Sequence, residues 1–315
     1  IGGRRGIKRE TAWGGIEVTD AHVHFFSHRF YSLLAQQMGG GATAESVCSE
    51  LGWPVPPEDP AELAAQWVAE LDRNHVARAC LLASLPGDEP SVIAAVQAYP
   101  DRFAGYFFLN PLAEGAAERA ETGLKLGLKG ICLMQAMHGF SLADERVRPV
   151  LDAASSVPGT VVFVHCGVLS VGVRRRLGLA SPFDMRYSNP IDLHPVALRY
   201  PELTFVVPHF GAGYFREALM VADLCPNVML DTSSSNSWTK FLSPPPSLEQ
   251  VFEQALAVAG PSRLLFGTDS SFLPRGWHTA VFKRQASALQ AIGADANSAH
   301  AVLGGNLSRL LWQNA

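Results

Sequence analysis

The sequence predicts an α/β chain folded as a single closed (β/α)8 barrel. Three observations predict it. Eight short apolar runs of strand length recur along the chain, helix-like segments alternate with them, and polar residues fall at the C-terminal ends of many runs. A doubly wound open sheet shares the first two features. The count of eight and the polar run ends favour closure.

The runs are Ile16 to Phe25, Ala77 to Ser84, Phe103 to Asn110, Leu128 to Met134, Thr160 to Gly167, Leu203 to Gly211, Val228 to Ser233 and Leu264 to Ser270. Most are nearly continuous in apolar residues, as strands buried on both faces are. Pro60 to Leu71 opens with proline and carries apolar residues at helical spacing, which predicts a helix. The same spacing predicts helices over Glu89 to Tyr99, Gly115 to Leu126, Glu145 to Ser155, Pro190 to Tyr200, Tyr214 to Leu224 and Ser247 to Ala259.

Two segments exceed ordinary connections. Tyr31 to Asp59 follows the first strand and is rich in Gly and Pro. Val168 to Asn189 follows the fifth and contains Arg174-Arg175-Arg176 and Arg186. Both are expected as insertions on the C-terminal rim, where barrel active-site loops lie. The 315 residues suit one barrel domain over 15–315. Residues 1–14, with Arg4-Arg5 and Lys8-Arg9, are expected to be a floppy lead-in and not a signal peptide, since no apolar segment follows the basic residues.

A hydrophobic content of 48% against 17% charged residues permits a large core and excludes global disorder. The net charge of −4 leaves no electrostatic footprint for nucleic acid, and no apolar run is long enough to span a membrane. The five cysteines are odd in number and form no Cys-x-x-Cys, so they are expected as reduced, buried thiols in a cytoplasmic protein. Cys166 follows His165 and on a strand points to the opposite face, away from any chemistry there.

In Asp20-Ala-His22-Val-His24, residues two apart share a strand face, so one ion could accept both imidazoles. A His-x-His pair alone is more often a pair of hydrogen-bonded, half-buried side chains. His165, His209 and Asp269, however, each end a later run. Any one of these residues could be a cap or a packed core residue. All five at equivalent strand ends converge on one barrel mouth. A nitrogen-rich donor set with one carboxylate suits a divalent metal, most simply Zn²⁺, with Mn²⁺, Co²⁺ or Fe²⁺ also compatible.

The ordered set Asp20-Ala-His22-Val-His24, Gly127-Leu-Lys129-Gly-Ile, Phe163-Val-His165, Pro208-His209-Phe-Gly211, Phe266-Gly-Thr268-Asp269 and Gly304-Gly305-Asn306-Leu307 resembles the amidohydrolase superfamily over nearly the whole chain. The closer similarity is to its amidohydrolase 2 branch, which includes the aminocarboxymuconate semialdehyde decarboxylase-like enzymes. The resemblance implies a TIM barrel holding a single divalent metal on His22, His24, His165 and Asp269. It implies that His209 hydrogen-bonds the water such an ion activates and serves as acid or base, and that Asp269 doubles as a proton carrier. Binuclear relatives bridge two metals with a carboxylated lysine at the end of strand four. Lys129 stands at the start of that run, which predicts an unmodified amine and a mononuclear site.

The branch contains hydrolases and non-oxidative decarboxylases. Its aromatic acid decarboxylases commonly carry Glu in the first motif and shortly after the strand-six His. Here those places hold Asp20 and Gly211-Ala212-Gly213, which favours a hydrolase acting on an ester, lactone or amide of a small organic acid. A decarboxylase of the muconate-semialdehyde type is the alternative, and a catalytically silent metal-containing barrel is a second. Arg186 and Arg275 are candidates to grip a substrate carboxylate as a bidentate fork, and Trp277 is a candidate wall of the mouth. A homodimer is common in the branch, and the sequence leaves oligomeric state open.

Overall fold

The computed structural model describes residues 6–233 and 237–313. Eight parallel strands form one sheet in sequence order: β1 (Val18–His24), β2 (Val76–Ala83), β3 (Phe103–Leu109), β4 (Gly130–Leu133), β5 (Val161–Val164), β6 (Thr204–Val207), β7 (Val228–Asp231) and β8 (Leu264–Leu265). Seven fall within their apolar runs, and β2 begins one residue before its run, at Val76. Closure comes from the chain beyond β8. Ala21 N–H donates to the Phe266 carbonyl at 2.8 Å, and His24 N–H donates to the Ser270 carbonyl at 2.7 Å. The result is a TIM barrel.

Period-two alternation divides each strand between two cores. Cys80, Tyr106, Cys132, Phe163, Val206, Met229 and Leu265 fill the lumen. Leu81, Phe107, Ile131, Val162, Phe205, Leu230 and Leu264 face the surrounding helices. Cys166 falls in the outer set, away from the face of His165, and all five cysteines are buried and free. His165, Asp231 and Asp269 continue the inward phase of β5, β7 and β8, so alternation delivers them to the C-terminal mouth.

The helices expected between strands are present, including Pro60–Arg73, which starts on an Asp59 cap, and Leu248–Ala259, which starts on a Ser247–Gln250 capping box. Asn306 explains part of the C-terminal motif. Its amide donates to the carbonyls of Leu264 (2.8 Å) and Pro261 (2.7 Å), tying the last helical segment to the base of β8. Beside it, a side chain on Gly304 would lie 2.0 Å from the Glu17 carbonyl oxygen, so only glycine permits the approach to β1.

The N-terminal lead-in differs from expectation. Residues 1–5 lie outside the described residues. Arg9–Thr11 pairs antiparallel with Gly14–Ile16, so the hairpin takes in residues expected to be floppy. The Arg9 guanidinium binds the Asn74 carbonyl and lies 4.5 Å from the Phe282 ring, which anchors the strand.

The first long connection holds two helices, His28–Met38 and Ala44–Leu51, that the run of glycines at 39–41 masks in the sequence. Phe30, Leu34, Val47 and Leu51 pack with Val173 and Leu177 of the second long connection. This small apolar cluster is separate from both barrel cores.

Candidate metal centre

His22, His24 and Asp269 offer donor atoms that all lie within 4.8 Å of one another. Asp269 Oδ1 stands 3.0 Å from His24 Nε2 and 3.6 Å from His22 Nε2. The rings of the four histidines are contiguous. Centroids are 5.1 Å apart for His24–His22, 5.0 Å for His22–His209 and 5.2 Å for His209–His165. His165 thus touches the group through His209 and does not join the closest three-residue set.

Local backbone irregularity aims these side chains. The β1–β2 register shifts between Asp20 and Val23, within the His-x-His segment, and such bulges re-aim side chains beside active sites. His209 lies one residue out of inward phase on β6 and reaches the mouth through a left-handed backbone, φ 55°. Asp269 has φ 56°. Non-glycine residues hold this region at a cost of roughly 1–3 kcal/mol, a strain that clusters at functional sites. Gly267 must be small, because a Cβ there would lie 2.6 Å from Asp231 Oδ1 and 3.0 Å from His22 Cβ.

A second layer sets the tautomers. His22 Nδ1–H donates to Asp231 Oδ2 at 2.7 Å. Ser84 Oγ donates to the Leu82 carbonyl (3.1 Å), so it accepts from His24 Nδ1–H (2.6 Å). His209 Nδ1–H faces the Ser233 carbonyl and hydroxyl, both at 3.0 Å. In all three rings Nδ1 is thereby taken up by a partner, which leaves Nε2 as the nitrogen with which each could ligate a metal or take up a proton. His165 Nδ1 is buried without a hydrogen-bond partner. A buried imidazole with an orphaned nitrogen, next to His209 in a cluster of three further imidazoles and a carboxylate, fits a divalent ion.

Burial and neighbouring charge divide the rings. Burial, reinforced by His209 and His22, holds His165 well below the usual imidazole range, and burial likewise lowers His209. Both rings are neutral at pH 7. Burial alone would lower His22, but the Asp231 carboxylate outweighs it and brings His22 up to about 9, so at pH 7 its Nε2 carries a proton that a divalent ion would displace on binding. Burial would raise Asp269, yet the hydrogen bond from His24 and the charge of His22 hold it well below the usual carboxylate range, so it is ionised.

The cluster opens into a cavity of about 480 Å³. Arg275 lines it. Arg186 does not: its side chain is 83% exposed and is paired with Asp184 at 2.6 Å. The arginines of the second long connection that line the cavity are Arg174, Arg175 and Arg176, on the short helix Gly172–Arg176. Trp277 also departs from expectation. It is buried away from the cavity, and its indole N–H donates to Asp20 Oδ2 at 2.7 Å. Asp20 in turn accepts from Thr268 Oγ1 (2.5 Å) and His22 N–H (2.9 Å), so the leading Asp of the first motif staples β1 to the segment after β8. Lys129 precedes β4, at the end of the barrel opposite the histidines. Sequence reasoning missed Ser84, and it took Ser233 only as part of the hydroxyl-rich run from Asp231 to Trp238 that either lines the pocket or caps the next helix. Their only signal is a hydroxyl just beyond a strand end, a feature many caps share.

Comparison with known proteins places these residues in context. The Amidohydro_2 family model, described as amidohydrolase, matches residues 19–311. A probable 2-pyrone-4,6-dicarboxylic acid hydrolase from Acinetobacter baumannii, with citric acid bound, is 16% identical, with a TM-score of 0.61 over 94% of this chain and 99% of that one. A 5-carboxyvanillate decarboxylase from Novosphingobium aromaticivorans, with bound manganese, is 17% identical, with a TM-score of 0.59 over 93% and 95%. At such identities the likeness is one of fold. Protein fluG of Emericella nidulans is 33% identical over 87 residues, which is 28% of this chain and 10% of that protein. A match from just after the first strand begins to the last helical segment takes in the histidines, the aspartate and the C-terminal motif alike, and the chain belongs to the amidohydrolase family.

Proposed function

We propose that the protein is a metal-dependent hydrolase acting on an ester, lactone or amide of an organic acid. The observation that carries the reading is the set of three histidines held through Nδ1 beside an ionised Asp269 and the buried His165. His22, His24, His165 and Asp269 would hold one divalent ion, with zinc favoured by the nitrogen-rich donors. A bound ion supplies Lewis acidity and brings a water's pKa down to about 7. His209, neutral at pH 7, takes the proton from the attacking water at Nε2 and returns it to the leaving group. Ser233 holds the other side of that ring, and Asp269 carries a proton when His209 is occupied. Arg275 meets the substrate's carboxylate at the outer lip.

The segment after His209, Phe210-Gly211-Ala212-Gly213, offers no carboxylic acid, which favours hydrolysis over release of carbon dioxide. Five buried thiols suit a reducing compartment, and the cytoplasm is the setting proposed. No described helix is long and apolar enough to cross a membrane. The test is turnover by zinc- and manganese-loaded protein on matched aryl esters, lactones, amides and free aromatic acids. Ester or lactone cleavage lost on chelation supports the reading. Carbon dioxide release from the acids alone makes the enzyme a decarboxylase, and inertness toward the whole panel makes it a silent barrel. Either result overturns the reading.

A further inference from the structure

The cavity is polar at its floor and cationic at its lip, with apolar walls between. The floor residues His22, His165 and His209 are buried, whereas Arg175, Arg176 and Arg275 are exposed. The walls include Phe26, Phe30, Trp53, Met134, Met137 and Phe272. Two stacked pairs shape them: Phe26 on Phe30 at 4.1 Å and 4°, and Trp53 on Phe272 at 3.7 Å and 18°. Aromatic and methionine walls of this kind receive planar rings well.

Size narrows the choice. A void of roughly 150 Å³ holds benzene. At about 480 Å³ this cavity has about three times that space.

Charge fixes the orientation. Four arginines line the cavity, and among the described residues its only acidic lining residue is Asp269 on the floor. Arg186, outside the cavity, is neutralised by Asp184, whereas the four lining arginines form no ion pair among the described residues. Arg174 is held by Gln37 and by the Ala180 carbonyl at 2.5 Å. Arg176 is held by the Leu51 carbonyl, with its guanidinium 5.1 Å from the Trp53 ring. Neutral partners position these guanidiniums without cancelling their charge, so the lip attracts an anion.

We propose that the substrate is a flat aromatic acid larger than one ring, bound with its reacting group at the histidine floor and its carboxylate at the arginine lip. This names the substrate class of the site proposed above and rests on that reading for the reaction alone.

The test is equilibrium binding of 2-naphthoate to the full chain, by calorimetry and by tryptophan fluorescence, with benzoate and neutral 2-naphthamide as comparators. Trp53→Phe shows whether any fluorescence change arises inside the cavity. The expected result is at least tenfold tighter binding of 2-naphthoate than of either comparator. It should persist within threefold after chelation and weaken at least tenfold in Arg175→Gln/Arg275→Gln. Equal binding of benzoate overturns the assigned size, and equal binding of the amide overturns the assigned charge. Binding that vanishes on chelation means that the carboxylate sits on the metal, which overturns the orientation. The arginines are exposed, so their replacement leaves folding intact, and circular dichroism verifies this. Failure of ester turnover with naphthoate binding intact overturns the hydrolase reading alone. Turnover of esters with no preference for bicyclic acids overturns this inference alone.

Discussion

Asp231 accepts the Nδ1 proton of His22 at 2.7 Å, although 209 residues separate them in the chain. Both side chains are buried, and Asp231 Oδ1 also accepts from Ser233 N–H at 2.6 Å, so the carboxylate is fixed on both oxygens. Carboxylate partners of this kind hold a ligating imidazole in one tautomer, and their loss typically costs 10–100-fold in metal affinity. Asp231→Asn should therefore weaken zinc binding by about that factor in a competition titration against a chromogenic chelator. Unchanged affinity would mean that His22 needs no such partner and is not a ligand.

The two roles assigned to histidine separate cleanly. His24→Ala removes a donor atom and should lose bound metal and turnover together. His209→Ala should keep most of the metal while turnover falls by roughly 10²–10⁴-fold, the usual worth of a positioned acid or base. A ligand contributes binding energy, whereas a proton carrier chiefly stabilises the transition state. Elemental analysis beside kinetics on both variants decides this. Equal loss of metal from the two would make His209 a ligand, which its place between His22 and His165 makes a direct question.

Asp88 predicts a pH dependence of stability away from the candidate metal centre. Its Oδ1 accepts from Ser27 Oγ at 2.7 Å, and Ser27 caps the helix His28–Met38 at the cavity wall. Burial, partly offset by that hydrogen bond, brings the Asp88 carboxyl from 3.8 up to about 7. A raised folded-state value means that the contribution is fully present below the unfolded value and is lost as pH rises through the folded one. Wild-type stability should therefore decline between about pH 4 and pH 7. Asp88→Asn keeps an acceptor for Ser27 and removes the ionisation. Its melting temperature should rise relative to wild type across that window, by an amount equivalent to at most about 4 kcal/mol. A constant difference between the two proteins from pH 4 to 8 would refute the assignment.

Much of the fold was legible because burial on both faces writes each barrel strand as an unbroken apolar run such as Thr160 to Gly167. The same runs marked His165, His209 and Asp269 as strand ends. What stayed hidden depends on tertiary contact. Arg174, Arg175 and Arg176 and Arg186 share one connection and look equivalent in sequence, yet only the first three turn toward the cavity, because Val173 and Leu177 between them pack on the first connection. The His22–Asp231 pair leaves no local trace, since each residue has its own plausible strand-end role. Strand eight has only two ladder residues, so closure through Phe266 and Ser270 had to come from backbone geometry.

Trp277 offers the sharpest contrast between a wall of the mouth and a structural staple. Its ring packs 5.8 Å from Phe282 and 6.3 Å from Phe266, and its backbone N–H donates to Glu70 at 2.9 Å. The indole N–H gives Asp20 one of its buried hydrogen bonds, and a bond to a charged group contributes about 1.5–3 kcal/mol. Trp277→Phe keeps the aromatic packing and deletes that donor. The melting temperature should fall by several degrees, while KM toward ester substrates stays within about twofold of wild type, since the residue makes no part of the cavity. Arg275→Gln should do the reverse, raising KM for acidic substrates with little change in melting temperature, because an exposed side chain at the lip supports no core. A Trp277→Phe protein that melts like wild type but binds substrate more weakly would return Trp277 to the mouth and remove the staple role from Asp20.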